Sequence, residues 1–410
     1  MKRNRNSLLI LTAFLMAVLF SCNQDNKKHV EQANEGSFGY DLKFLKSKDS
    51  SLITLQNNDA ILVVSPKFQG KVFTSSALGL DGKSFGWINY KAFDTLATHI
   101  NAYGGEDRMW VGPEGGQFSI FFKKDAKMEF SNWQTPAALD TEPWEMLSHD
   151  ANSIKMTKNA EFENYSGTKF NVQIDREVKL LNAEEVKENL GISAPEKLKW
   201  VAYQTDNQIT NIGQQAWTKE SGTLNIWMLG MFNPSEKGII VIPYKQGDDK
   251  ELGNILTSDY FGDVPKERLV TDNGIIYFKI DGKYRSKIGI SPKRASNFVA
   301  SYDDLNKVLT ILKYNKPAAG ATYINQKWEI QKEPFIGDVI NAYNDGPLTD
   351  GTQMGPFYEM ETSSPAAFLA PKEKMGHQQQ VYHFTGSESD LNVIAEKVLG
   401  VAISDIKKHL

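Results

Sequence analysis

Three segments of this 410-residue chain gather carboxylates, amides, glycines and aromatic rings more densely than a simple turn requires. In the first, His99-Ile-Asn-Ala-Tyr-Gly-Gly-Glu-Asp-Arg-Met-Trp110 is followed closely by Gly112-Pro-Glu-Gly-Gly116. Paired glycines let a backbone come close to a ligand, Glu106, Asp107 and Arg108 can fork hydrogen bonds to hydroxyls, and Trp110 can stack on a sugar face. A Gly-rich loop closed by a local ion pair is the plainer alternative. The second segment, 337–347, offers side-chain oxygens at Asp338, Asn341, Asn344 and Asp345. They suit hydroxyls or a calcium ion, although the spacing is not that of an EF-hand. Asn344 and Asp345, just before Gly-Pro, read more simply as turn closers.

The third segment covers 357–365, 369–377 and 381–384. In a strand, Glu359 and Glu361 share one face while Tyr358 and Met360 take the other. A buried pair of carboxylates needs a proton or a cation, and an acid or base with a shifted pKa arises in this way. A solvent-facing strand with two ordinary glutamates fits the same alternation. Of the six histidines, His99, His149, His377 and His383 remain as acid, base or metal groups, but their spacing matches no standard zinc pattern. Walker, G-x-G-x-x-G, H-E-x-x-H, C-x-x-C and G-x-S-x-G motifs are all missing, so no phosphate loop, zinc protease or serine hydrolase is indicated.

The elements that must position these groups read as strands. Apolar runs bounded by turn residues fall at 52–55, 61–64, 72–75, 118–122, 198–203, 224–229, 239–242, 275–280, 308–314, 323–330 and 381–384. Phe170, Val172, Ile174, Arg176, Val178 and Leu180 alternate along one long strand, where Arg176 is expected to pair on the sheet. Without regular βα alternation, the fold class is all-β, a large sandwich with few short helices. One helix is expected after Asn182 and before Gly191. A second is expected over 391–399, capped by Ser389 or Asp390 and stopped at Gly400. Six of the tryptophans, Trp87, Trp133, Trp144, Trp217, Trp227 and Trp328, are expected mostly in the core.

Composition sets the partners. With 46 Lys plus Arg against 50 Asp plus Glu, the net charge of -4 leaves no electrostatic footprint for nucleic acid. Lys2, Arg3 and Arg5 precede an apolar core over 8–20, which is shorter than the ~20 residues a bilayer span needs. Cys22, the only cysteine, follows directly behind Ser21, as at a lipobox. We therefore expect a lipoprotein signal peptide over 1–21, a polar tether over 22–36 from a lipidated Cys22, and one domain over 37–410. The mature chain would then be a monomeric bacterial outer-membrane lipoprotein, periplasmic or surface-exposed, anchored by its N-terminal lipid.

The segment Met360-Glu-Thr-Ser, the Leu369-Ala-Pro-Lys-Glu373 turn and the strand ending at Phe384 resemble the C-terminal signature of galactose mutarotases, or aldose 1-epimerases. The family's strand L-E-T-Q carries the catalytic base, and its turn reads L-x-P-G-E. Glu361 falls on the base and Lys372 on the turn glycine. The run Tyr103-Gly-Gly-Glu-Asp-Arg-Met-Trp110 is similar to the family's H-G-G segment, with Tyr103 in place of a sugar-binding His and His99 four residues earlier. Most of the chain also resembles mutarotase-like lipoproteins of Gram-negative bacteria that share the G-G-E-D-R and N-D-G-P stretches. The resemblance implies a β-supersandwich with a concave site for a sugar or oligosaccharide and no organic cofactor. It also implies a base at Glu361 and an acid across the ring. The family's acid is the His of a T-N-H motif, which here reads Thr210-Asn-Ile212, so His99, His377 or Asp338 must supply the proton if the chain is an epimerase. Glu106, Asp107, Arg108, Trp110, Asp338, Asn341 and Glu359 are the expected sugar contacts. A non-catalytic glycan-binding lipoprotein is the alternative. Arg108, Glu106 and Glu359 keep a polysaccharide lyase or hydrolase as a third reading.

Overall fold

The computed structural model describes residues 34–317 and 320–410. The expected signal peptide, Cys22 and the expected tether up to residue 33 lie outside the described residues. Strands β1 (Ile53–Asn57), β2 (Ala60–Ser65) and β3 (Lys71–Ser76) form a meander, and β4 (Arg108–Gly112) departs to a separate sheet. β5 (Glu145–His149), β6 (Ser153–Glu163), β7 (Lys169–Leu180) and β8 (Lys199–Asn211) pair antiparallel in sequence order. They are followed by β9 (Asn225–Phe232), β10 (Gly238–Pro243), β11 (Leu269–Asp272), β12 (Ile275–Lys279) and β13 (Ser286–Ile290). The last strands are β14 (Phe298–Asp303), β15 (Val308–Tyr314), β16 (Ile340–Asn344), β17 (Tyr358–Ser363) and β18 (Lys374–Thr385).

Ten of these build one sheet in the order β11-β12-β10-β14-β15-β18-β8-β7-β6-β5, and five build another in the order β13-β16-β17-β9-β4. All pairings between strands are antiparallel, so each strand presents alternate residues to its two faces. Val172, Ile174, Val201, Leu312 and Val381 of the large sheet share one core with Met109, Ile226, Met228, Ile340 and Met360 of the five-stranded sheet. The outer face of the large sheet is partly covered. Tyr302, Leu309, Ile311 and Phe384 pack there against Leu391, Ile394, Ile403 and Ile406 of the C-terminal helices.

The expected all-β class holds, and most expected strands are present. The runs 118–122 and 323–330 are not strands. After Gly115 and Gly116 the chain closes on itself (Ser119 N to Gly116 O, Ile120 N to Pro113 O), so Phe121 and Phe122 enter the core from a loop. Tyr323 makes only an isolated bridge to Ile336. Helix Ala183–Leu190 has the anticipated Asn182 cap, a reciprocal capping box with Glu185, and Gly191 in the left-handed region. The later helix begins earlier than expected, at Glu388 on a Ser387 cap, and widens into a π-turn over Ala395–Leu399 before Gly400. Helix Phe38–Lys48, capped by Ser37, has no counterpart among the sequence expectations; it buries Phe38, Leu42 and Leu45 on β2 and β3. Among the described residues no helix is long and apolar enough to cross a membrane.

Candidate functional site

The face of the five-stranded sheet turned away from the shared core carries the candidate site. Cross-strand register puts Lys287, Tyr343, Glu359 and Met231 in one row, and Asn341, Glu361, Leu229 and Arg108 in the next. Trp110 and Trp227 are partners in the row beyond. Lys287, Tyr343, Glu359, Met231, Leu229, Arg108, Trp110 and Trp227 floor a cleft whose walls include Trp133, Trp328, Phe130, Phe261 and Phe357, together with Glu114 and Arg285. Glu361 and Asn341 are buried directly beneath that floor.

The charges cross between rows. Arg108 forms an ion pair with Glu359, while Lys287 Nζ lies 3.1 Å from Glu361 Oε2. The same oxygen accepts from Trp227 Nε1 at 2.9 Å, and Glu361 Oε1 has no partner among the described residues. Burial works against the charge on Lys287, but Glu361, Glu114 and Glu359 outweigh it and hold its pKa above the ordinary lysine value. For Glu359, burial outweighs Arg108, and neighbouring Glu361 adds to it, so its pKa rises to about 7. Burial likewise raises Glu114 to about 7, against Lys287 and a hydrogen bond from Trp328. Two carboxyl groups, Glu114 and Glu359, thus line the cleft with Arg108, Arg285 and Lys287, and a third, Glu361, lies just beneath its floor.

Of the expected site residues, Glu361, Glu359, Arg108 and Trp110 meet here. Asn341 lies in the Glu361 row, and Asp338 stands one layer behind. The hydroxyl of Tyr260 donates to Asp338 Oδ2 at 2.8 Å and accepts from Asn341 Nδ2 at 3.2 Å, and the Tyr260 ring lies 5.7 Å from Lys287 Nζ. Burial raises Asp338 to about 6. The oxygens expected as a calcium set do not converge. Asn341 and Asn344 point to opposite faces of β16, Asn344 binds backbone groups of Gly282 and Tyr284, and Asp345 accepts from Tyr343 and Gly355.

Glu106, Asp107 and His377 lie between the sheets instead. Asp107 pairs with Arg176 and accepts from Gln379 at 2.8 Å, and Glu106 faces His383 at 3.6 Å. His377 Nε2 is 2.8 Å from the hydroxyl of Thr362, the residue after Glu361, and so sits behind the sheet from the cleft. Burial pushes it down to about 3, which keeps the ring neutral. His99 stays at the rim, its Nδ1 held 2.9 Å from the carbonyl of Trp133 and its ring stacked on Phe130. Tyr103 packs among Phe68 and Phe93, and Ile212 is outside the cleft and 44% exposed. The paired glycines serve the scaffold rather than a ligand: a Cβ on Gly104 (φ +90°) would lie 2.1 Å from the Trp87 carbonyl oxygen. Lys372, matched to the family's turn glycine, does adopt the left-handed conformation at φ +73°.

Sequence reasoning missed Lys287, Arg285, Tyr343 and Phe357; Trp133 and Trp227 are core residues as expected, with Trp328 packed against them, and all three also border the cleft. One signal was available: a lysine between Ser286 and Ile288 interrupts an otherwise apolar strand, and a cation there needs a buried partner.

Sheets and cleft together define a large β-sandwich with a concave site that is walled by aromatic rings and floored by ion pairs. The chain belongs to a family of unknown function, DUF6786, whose model matches residues 36–410. No curated protein matches it. Among solved structures it is similar to the Slr1438 protein of Synechocystis sp. PCC 6803, at 12% identity and TM-score 0.49, covering 82% of this chain and 96% of that one. It is also similar to a galactose mutarotase-like protein from Lactobacillus casei ATCC 334, at 10% identity and TM-score 0.45, covering 81% and 99%. A galactose mutarotase related enzyme from Lactobacillus acidophilus shares 12% identity at TM-score 0.41, covering 82% and 97%.

Proposed function

We propose that the cleft binds a sugar or oligosaccharide and exchanges its anomers, with Glu361 as base and Glu114 as acid. The observation that carries this reading is Glu361 Oε1, buried and unpartnered beneath aromatic walls while Oε2 is fixed by Lys287 and Trp227. Rings offer a sugar its stacking surface, and a free carboxylate oxygen can take the proton of the anomeric hydroxyl. Glu114, brought to about 7, still carries a proton in half the molecules near neutral pH and can give it to the ring oxygen. The ring then opens, the aldehyde rotates and the ring recloses with both protons returned. Exchange NMR of glucose, galactose and pentose anomers tests the reading. Acceleration by the purified chain that disappears in Glu361→Gln supports it, and no acceleration by a folded protein rejects it.

One observation favours a second reading, glycan binding without turnover. Glu361 is held in place by Lys287 and Trp227 and lies beneath the floor rather than on it, as a structural ion pair would. Saturable oligosaccharide binding that requires Trp110 or Arg108, with no chemistry, is its signature. For placement in the cell we propose an outer-membrane lipoprotein, on the support of the leader sequence and the position of Cys22 alone.

A further inference from the structure

Arg285 stands on the wall of the cleft just before β13. Its guanidinium carbon lies 3.8 Å from the centroid of the Phe261 ring, and its Nε donates to the Tyr343 hydroxyl oxygen at 3.3 Å. Tyr343 is itself fixed by donating to Asp345 at 2.8 Å. The plane of the guanidinium is therefore held on two sides, and neither terminal nitrogen has a protein partner among the described residues. This sets Arg285 apart. Every other described arginine forms an ion pair: Arg108 with Glu359, Arg176 with Asp107, Arg268 with Asp281 and Arg294 with Asp249.

Among the described residues no carboxylate forms an ion pair with this cation, although Glu114 lies near enough to feel its charge. Glu359 is taken by Arg108 and Glu361 by Lys287. Glu114 takes a hydrogen bond from Trp328 and feels both Lys287 and Arg285 without pairing to either, and burial raises its pKa to about 7, so it neutralises Arg285 only in part. A guanidinium held flat, with two parallel N–H groups free and partly out of water, matches a planar two-oxygen anion better than single hydroxyls. The neighbouring carboxyl groups limit the charge it can accept. With Glu114 protonated, three cations face two carboxylates and the one in excess balances one negative charge, whereas a phosphate monoester brings nearly two.

We propose that the cleft selects a hexuronic acid, whose carboxylate seats in the fork of Arg285 while the ring lies along the aromatic wall. The assignment rests on the sugar-binding reading above and adds the class of sugar. It involves no covalent step.

Titration calorimetry on the purified full chain tests it, with galacturonate and glucuronate set against galactose and glucose, and with glucose 6-phosphate and a sulfated hexose as further arms. The quantity read is the affinity ratio of uronate to neutral parent in the wild type, Arg285→Lys and Arg285→Gln. A ratio of about 10 or more in the wild type, reduced in Arg285→Lys and near one in Arg285→Gln, is the expected result for one bidentate pair. Near-UV circular dichroism establishes that each variant is folded. A wild-type ratio near one, or a preference that survives Arg285→Gln, overturns the assignment and leaves sugar binding standing. Tighter binding of the phosphate or sulfate ester than of either uronate also overturns it. Binding of no sugar at all rejects both this inference and the reading beneath it.

Discussion

Lys287 binds Glu361, although the strand register sets it level with Glu359. Arg108 makes the reciprocal crossing, level with Glu361 but bound to Glu359. Each carboxylate is thus reached along a diagonal, and the two cations approach from opposite sides of β17. A shift of β17 along its own axis would break both pairs together.

Replacing Lys287 with Met leaves Glu361 buried and unpaired. The unfolding free energy in urea should fall by about 3–5 kcal/mol at pH 8. The loss should be smaller at pH 5, where the orphaned carboxyl takes up a proton. An equal loss at both pH values would show that lost packing, not charge, is responsible.

Glu114 carries a testable pH signature. Its pKa is about 7 when folded against an ordinary 4.5, so between these values the folded state holds a proton that the unfolded state has released. Stability contributed at this position is greatest below about 4.5, falls as pH rises towards 7 and is flat above. The melting-temperature difference between wild type and Glu114→Gln, followed from pH 4 to 8, should trace that decline. A difference independent of pH would refute the raised pKa. If Glu114 is the acid, exchange should also slow above pH 7, as the proton it must donate is lost.

The Arg176–Asp107 pair lies between the sheets, so its removal should cost fold stability first. Arg176→Met should lower the unfolding free energy by about 3–5 kcal/mol, read by denaturant titration. Loss of sugar affinity in a variant of unchanged stability would instead place Asp107 in the binding machinery.

Cys22→Ala should abolish incorporation of labelled palmitate and release the protein from the membrane fraction. Label retained in that variant would remove the lipoprotein assignment.

The all-β class, most strands of the large sheet and half of the floor were legible in the sequence, whereas β4, β13 and β16 of the five-stranded sheet were not. Period-two alternation placed Glu359 and Glu361 on one face, and Arg108 and Trp110 stood out by residue type alone, in a segment that forms strand β4. The limit was at contacts between distant strands. Nothing local distinguishes Asp107, facing Arg176 across the interior, from Arg108 one residue on, facing the cleft. His377 illustrates the same point: as a residue type it suited the missing acid, but the partner that fixes it is Thr362, which alternation turns away from Glu361. Trp133 and Trp328 line a wall made of loops, where no periodicity marks which ring faces inward.

Half of the chain's 8 tryptophans, Trp110, Trp133, Trp227 and Trp328, border the cleft, and Trp133 and Trp328 stack at 6.1 Å. Indoles this close share their excited states, and their emission responds to whatever displaces water from between them. The protein therefore carries its own optical reporter: any molecule that enters the cleft, charged or neutral, turned over or merely held, should announce itself in the intrinsic fluorescence without a label.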